Sequence, residues 1–189
     1  LPLPWGQDPA AAAQRMRDDA LSVVRHKSAR YSVRHPLLIG ALLAGMAPSS
    51  PTAKHLAEFG EEIGIAFQLR DDELGVFGSP RVTGKPAGDD LREGKRTVLL
   101  ALAWGRCDDT GRKLLGSVLA NTETTSNQIA EASALIEDCG ARAVHEEIIA
   151  THRDAGVRAL GRLRDEGVVS TASLDDLAAL ADLLTRRSS

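Results

Sequence analysis

Aromatic side chains are scarce. Three Phe, two Trp and a single Tyr make up 3% of 189 residues, so Ala, Leu, Val and Ile must fill the core, as closely packed helices prefer. Cysteine is scarcer still. Cys107 and Cys139 supply neither a disulfide framework nor a metal quartet, and the usage reads as that of a cytoplasmic protein in a reducing compartment. No apolar run is long: Leu37–Ala47 spans 11 residues, short of the roughly 20 that a membrane-spanning helix needs, and no transmembrane segment is expected. Positive charge is not in excess. A net charge of −3 and a pI near 6.0 argue against a nucleic-acid partner held by a general basic field. The opening Leu1-Pro2-Leu3-Pro4-Trp5 has no basic leader of a secretory signal and no initiating Met, so the chain is expected to be cut from something longer.

What is present is ordinary globular chemistry, 43% hydrophobic and 26% charged, at nearly continuous helical period. Ala20, Val23, Val24, Lys27 and Tyr31 fall at i, i+3, i+4, i+7 and i+11, one helix face. Pro36 opens an apolar stretch to Ala47. Ser50 before Pro51 pairs a cap with a proline in the first helical position, and a helix is expected from there to about Phe77. Residues 78–90 carry Gly78, Pro80, Gly84, Pro86 and Gly88 and read as a loop. Helix resumes from Arg96 to Trp104. Thr125 and Gln128 make a capping box for a helix ending near Gly140, another runs from Ala141 to Glu166, and Ser173 with Asp176 suits the start of the last. The expected fold class is all-α. A long loop within such a domain is more often functional than accidental.

The chemistry concentrates in Phe67-Gln68-Leu69-Arg70-Asp71-Asp72-Glu73-Leu74-Gly75 and in the Thr83–Thr97 stretch that follows, with Lys85 and Lys95. Gln68, Asp71 and Asp72, at i, i+3 and i+4, project from one side of the long helix. They continue the apolar row Leu56, Gly60, Ile63, Gly64, Phe67. Adjacent carboxylates on a core-facing row cost several kcal/mol unless cations are supplied. Oxygen ligands without His or Cys suit Mg²⁺, which takes one or two carboxylates plus phosphate oxygens and water. The plainer reading of Asp-Asp-Glu is a solvated helix terminus. Lys27 reads either as a cation facing a cavity with Tyr31 or as a lysine snorkelling from the stripe's edge, and Tyr31 either as cavity lining or as core. A P-loop is excluded by spacing, since five residues separate Gly78 from Gly84 and Pro86 stands where Ser or Thr is required. His145-Glu146 begins a zinc-protease helix, but Ile149 holds the second His position.

Lys27-Ser28-Ala29-Arg30-Tyr31, Gly64–Gly75 and Thr83–Thr97, in this order and spacing, resemble the C-terminal part of a trans-isoprenyl diphosphate synthase of the polyprenyl synthetase family. The resemblance implies an all-α bundle around a central cavity, the isoprenoid synthase fold. Residues 1–189 would form the C-terminal part of a single domain whose N-terminal helices are missing. It implies a homodimer and a Mg²⁺-dependent reaction, in which an allylic diphosphate ionises and isopentenyl diphosphate attacks the carbocation. Asp71 and Asp72 match metal-binding aspartates. Lys27 and Lys85 match lysines on the allylic diphosphate and are expected to approach one another; Lys95 is a further match. Gln68 matches a glutamine near the carbocation, and Phe67 and Tyr31 match residues lining the reacting end. On this reading Lys27, Gln68 and Asp71 carry the catalysis.

Two departures accompany the resemblance. Gly75 stands where the DDxxD pattern has its last Asp, and Asp90 is a candidate to compensate. The first Asp-rich motif belongs upstream of Leu1 in this family and no other DDxxD occurs here, so the chain alone is expected to be an incomplete enzyme. The alternatives are a non-catalytic synthase-like subunit that pairs with a complete enzyme, and a terpene cyclase.

Overall fold

The computed structural model describes residues 8–84, 86–120 and 124–186, with the backbone alone at 82 and 83. Among the described residues there is no strand, and the all-α expectation holds. The helices are α1 (Pro9–Val23), a π-helical segment (Val24–Arg34), α2 (His35–Leu43), α3 (Pro51–Phe77), α4 (Pro80–Thr83), α5 (Asp89–Arg92), α6 (Val98–Arg106), α7 (Asp109–Ala120), α8 (Ser126–Asp138), α9 (Ala141–Glu166) and α10 (Thr171–Thr185). Local chemistry sets most boundaries. Ser50 Oγ accepts from the Ala53 N–H at 3.1 Å ahead of Pro51. Thr125 and Gln128 close the expected capping box of α8, and α9 has the expected limits.

Packing divides the chain into two compact units: residues up to Leu21 with Asp71–Glu146, and Ser22–Arg70 with Glu147–Ser188. They are called here the first and second units; α3 runs from the second into the first. The first has its core around Leu99, Leu100, Trp104, Leu115 and Ile136. The second is built around Phe59, Ile63, Leu160, Leu163 and Leu174. Each such side chain, fully buried, contributes about 1.5–3 kcal/mol.

The expected face through Ala20, Val24 and Tyr31 does not form. Ala20 and Val24 are buried, but Val23 is 58% and Tyr31 76% exposed. For Tyr31 the cause is the π winding that begins at Val24, in which the N–H of His35 bonds the carbonyl of Arg30, five residues back. Buried positions therefore recur at Val24 and Ala29, and a stripe drawn at α period drifts off the inward side. Glycines on α3 receive this wider helix. A Cβ on Gly64 would lie 2.6 Å from Ala29 Cα, and one on Gly60 2.8 Å from Arg34 Cα. A four-residue step on α3 thus meets a five-residue step on the π segment.

Further boundaries differ from the sequence reading: the helix expected from Arg96 to Trp104 spans Val98–Arg106, capped by Thr97, whose side chain accepts from the Leu100 N–H. Residues 78–90 are not loop throughout: they contain α4, opened by Pro80 behind an extended Ser79, and the start of α5, with Asp89 and Asp90 in its first turn. The helix opened by Pro36 stops at Leu43, ahead of Gly45 at φ 85°. The last helix is capped by Ser170, not Ser173, the Ser170 side chain accepting from the Ser173 N–H. The earlier cap adds a turn that places Leu174 in the core.

Candidate active site

The C-terminal turns of α3 hold the acidic residues. Asp71 is exposed, Asp72 is 6% exposed and Glu73 2%. The α3 stripe continues as expected: Leu56, Gly60, Ile63 and Gly64 are buried and Phe67 is half-buried. The plain solvated-terminus reading therefore describes Asp71 alone. Glu73 is held by Arg142, whose Nε and Nη2 each lie 2.8 Å from Oε1. That guanidinium also reaches Glu137 at 2.9 Å and lies 4.4 Å from the Phe77 ring centroid. Both nitrogens converge on one carboxylate oxygen, so the guanidinium offsets the charge that burial of Glu73 makes costly.

Asp90, at the start of α5, is 5% exposed. Its Oδ1 accepts from Lys95 Nζ, and Lys95 also pairs with Glu93 at 3.3 Å. Burial pushes the Asp90 carboxyl above its ordinary range, Lys95 pulls it back, and the charges of Asp71 and Glu93 push it up again. Asp90 thus lies within electrostatic reach of Asp71. Its carboxylate also fills the space over Gly75, where any Cβ would overlap it. The sequence suggested Asp90 only as a stand-in for the missing Asp at 75. Arg142 went unnoticed, because nothing in the spacing links residues 73 and 142.

The second unit carries Lys27, exposed on the π segment, and Tyr31, also exposed; neither belongs to that unit's core. Gln68 Oε1 accepts from Ser28 Oγ at 2.7 Å, which ties α3 to the residue after Lys27. Phe67 lines a cavity of about 500 Å³ with Phe59, Ile63, Leu37, Leu180 and Leu184. No charged side chain lines it, so it suits hydrocarbon rather than diphosphate. Lys85 lies outside the described residues. Among the described residues no three His, Cys, Asp or Glu side chains converge as a closed metal cage. An oxygen donor set of carboxylates completed by phosphate and water is the arrangement that fits Mg²⁺. Burial and Cys139 push the Cys107 thiol up to about 12, which leaves Cys107 a poor nucleophile. Among the described residues no helix is long and apolar enough to cross a membrane.

Residues 4–136 match the family model described as polyprenyl synthetase. A geranylfarnesyl diphosphate synthase from Aeropyrum pernix is 38% identical over 123 residues, 65% of this chain and 36% of that protein. A geranylgeranyl diphosphate synthase from Mycobacterium tuberculosis is 33% identical over 149 residues, 79% of this chain and 40% of that protein. Among solved structures, geranylgeranyl pyrophosphate synthase from Corynebacterium glutamicum, complexed with isoprenyl diphosphate and magnesium, superposes with a TM-score of 0.83. It is 37% identical, and the match covers 95% of this chain and 52% of that one. The chain thus spans about two-fifths of these curated relatives and half of this solved one.

Proposed function

The chain belongs to the polyprenyl synthetase family, and from that premise we propose that it is the C-terminal part of a Mg²⁺-dependent trans-prenyltransferase. The reaction joins isopentenyl diphosphate to an allylic diphosphate, giving a longer trans-polyprenyl diphosphate. The observation that carries this reading is the buried Asp72 beside the exposed Asp71 at the end of α3, with Asp90 and Lys95 within the same unit. Mg²⁺ at this helix end would add positive charge beside carboxylates that are costly to bury.

Asp71 and Asp72 would hold Mg²⁺, Asp71 as the direct ligand. When bound, the metal neutralises charge developing on the departing diphosphate. Lys27, Lys85 and Lys95 would hold diphosphate oxygens, leaving the allylic C–O bond polarised toward the leaving group. Gln68, its amide oriented by Ser28, would set its dipole against the allylic cation; Phe67 and Tyr31 would offer ring faces to the same charge. The isopentenyl double bond then supplies the electron pair for the new C–C bond, and a proton leaves the adjacent carbon. With a single Asp-Asp pair of this kind, at the end of α3, the 189-residue chain is expected to give little condensation alone.

The test is incorporation of labelled isopentenyl diphosphate into extractable prenyl product by the intact protein. Incorporation should require Mg²⁺ and stop with EDTA. An inactive protein that raises the turnover of a complete synthase on mixing would replace this reading with a non-catalytic subunit. Release of diphosphate with a cyclised hydrocarbon, and no incorporation, would replace it with a cyclase.

A further inference from the structure

The two cysteines of the chain are separated in sequence by α7 and α8, yet they meet in the first unit. Cys107 ends α6 and Cys139 ends α8. Both are free thiols, and their side chains share a hydrogen bond. Contacts that do not involve the sulfur–sulfur approach put the same two helix ends side by side. Arg106 Nε donates to the Cys139 carbonyl at 2.8 Å. A Cβ on Gly111 would lie 3.3 Å from Cys107 Sγ and 3.2 Å from Leu135 Cδ2, one turn ahead of Cys139. Arg112 donates to the Cys107 carbonyl, so an arginine holds the backbone at each thiol. The two differ in access. Cys107 is 6% exposed, within the core of the first unit, and Cys139 packs half-buried against that core.

We propose that Cys107 and Cys139 are a reversible disulfide site whose oxidant is a hydroperoxide, with Cys139 attacking first and Cys107 closing the bond. Exposure sets the order, because the oxidant reaches Cys139 and not the buried Cys107. The Cys139 thiolate attacks one oxygen of hydrogen peroxide and the O–O bond breaks. The other oxygen leaves as hydroxide and takes up the proton that Cys139 had shed, giving water and a sulfenic acid on Cys139. The Cys107 sulfur then attacks the Cys139 sulfur, the S–O bond breaks, and that oxygen departs as water with the Cys107 proton. In all, two thiols lose two electrons and two protons, and one peroxide becomes two waters. Burial and the charge of Cys139 keep Cys107 protonated beforehand. Once Cys139 carries a neutral sulfenic acid that charge is gone, and Cys107 can release its proton as the oxygen departs. The bond ties the end of α6 to the end of α8 and closes the loop that contains α7. Thiol exchange reverses it, as with the transient disulfides of reducing compartments. None of this requires the prenyl chemistry.

The experiment treats the folded intact protein with hydrogen peroxide, alkylates the remaining thiols, and maps tryptic peptides by mass spectrometry without reduction. Trypsin cuts after Arg106, Arg112, Lys113 and Arg142, so the two cysteines fall on separate peptides. Those peptides should appear joined, lighter by two hydrogens than their sum, and dithiothreitol should part them. In Cys107→Ser, dimedone should trap a sulfenic acid at Cys139. In Cys139→Ser, labelling at Cys107 should be at least about tenfold slower. Oxidation should raise the Tm of the parent by several degrees and that of neither variant. The joined peptides are read in the parent, so the proposal stays open to refutation even where a variant fails to fold. Peroxide treatment that leaves both thiols open to alkylation overturns it. So does sulfinic acid at Cys139 with Cys107 still free, or a disulfide between the Cys139 residues of two copies. Equal dimedone labelling in the two variants overturns it as well, since exposure would then not set the order.

Discussion

Asp72, Glu73 and Asp90 are all buried in the unit that contains Asp71–Glu146, Glu73 against Arg142 and Asp90 against Lys95. In the unit that contains Ser22–Arg70, no charged residue is buried among those described; Glu61 sits at 20% side-chain exposure with Arg25, Arg30 and Arg34 around it. That second unit keeps instead an apolar cavity of about 500 Å³ and a helix of unusual winding. Burying a carboxylate is costly unless it is paired, whereas half-exposed ion pairs contribute little. The contrast teaches where to look for chemistry in a helical protein of ordinary composition: at charges kept out of water, not at charges in number.

The sharpest way to break this contrast is at Asp71. Asp71→Ala in the intact protein should lower kcat by at least two to three orders of magnitude while KM changes much less, because the metal acts mainly on the departing charge. Steady-state kinetics with saturating Mg²⁺ measure it. Near-normal turnover would make the acidic end of α3 structural, and the first unit would then differ from the second in packing only.

Next comes the pair that the sequence did not reveal. Arg142→Ala leaves Glu73 at 2% exposure without its arginine partner and removes the stacking on Phe77. The partial exposure of Arg142 discounts the loss, which should still reach about 2–4 kcal/mol by urea denaturation. A cost under 1 kcal/mol would show that buried charge in the first unit is no more consequential than surface charge in the second.

Gly64→Ala tests what is distinctive of the second unit. The added methyl meets Ala29 Cα at 2.6 Å, a backbone atom that cannot swing aside. Overpacking of this kind costs about 1–3 kcal/mol. The π segment should loosen with it, seen as faster amide exchange over residues 24–34. An unchanged exchange pattern would mean that the π winding does not depend on close approach to α3.

The sequence made some of this legible and hid the rest for physical reasons. Helix limits set by local chemistry were readable: Pro51 behind Ser50, the Thr125–Gln128 capping box, and the Ala141–Glu166 span of α9. The α3 stripe was readable too, and it led to Asp72. The last helix starts at Ser170 rather than at the expected Ser173, a turn earlier, with Leu174 in the core. The π winding escaped altogether, since α periodicity was the assumption by which Lys27 and Tyr31 were placed on an inward face. Asp90 over Gly75 and Arg142 on Glu73 are long-range pairings, and no spacing rule links 75 with 90 or 73 with 142.

The smallest expected effect is at Glu61, and it bears on the comparison from the other side. Arg25, Arg30 and Arg34 approach its carboxylate at 3.2, 3.2 and 3.6 Å, which on a drawing looks like the strongest electrostatic feature of the molecule. Their side chains are 46, 33 and 30% exposed, however. Water and salt screen each pair, and three long side chains lose rotamer freedom to meet one acceptor. Glu61→Gln retains the shape and one acceptor oxygen, so the loss should stay below about 1 kcal/mol and shrink further in 0.5 M NaCl. A salt-insensitive loss above 2 kcal/mol would mean that Glu61 is the keystone of the π segment, offsetting repulsion among arginines that its widened turns bring together. The second unit would then depend on charge as much as the first, with exposure no longer the quantity that separates them.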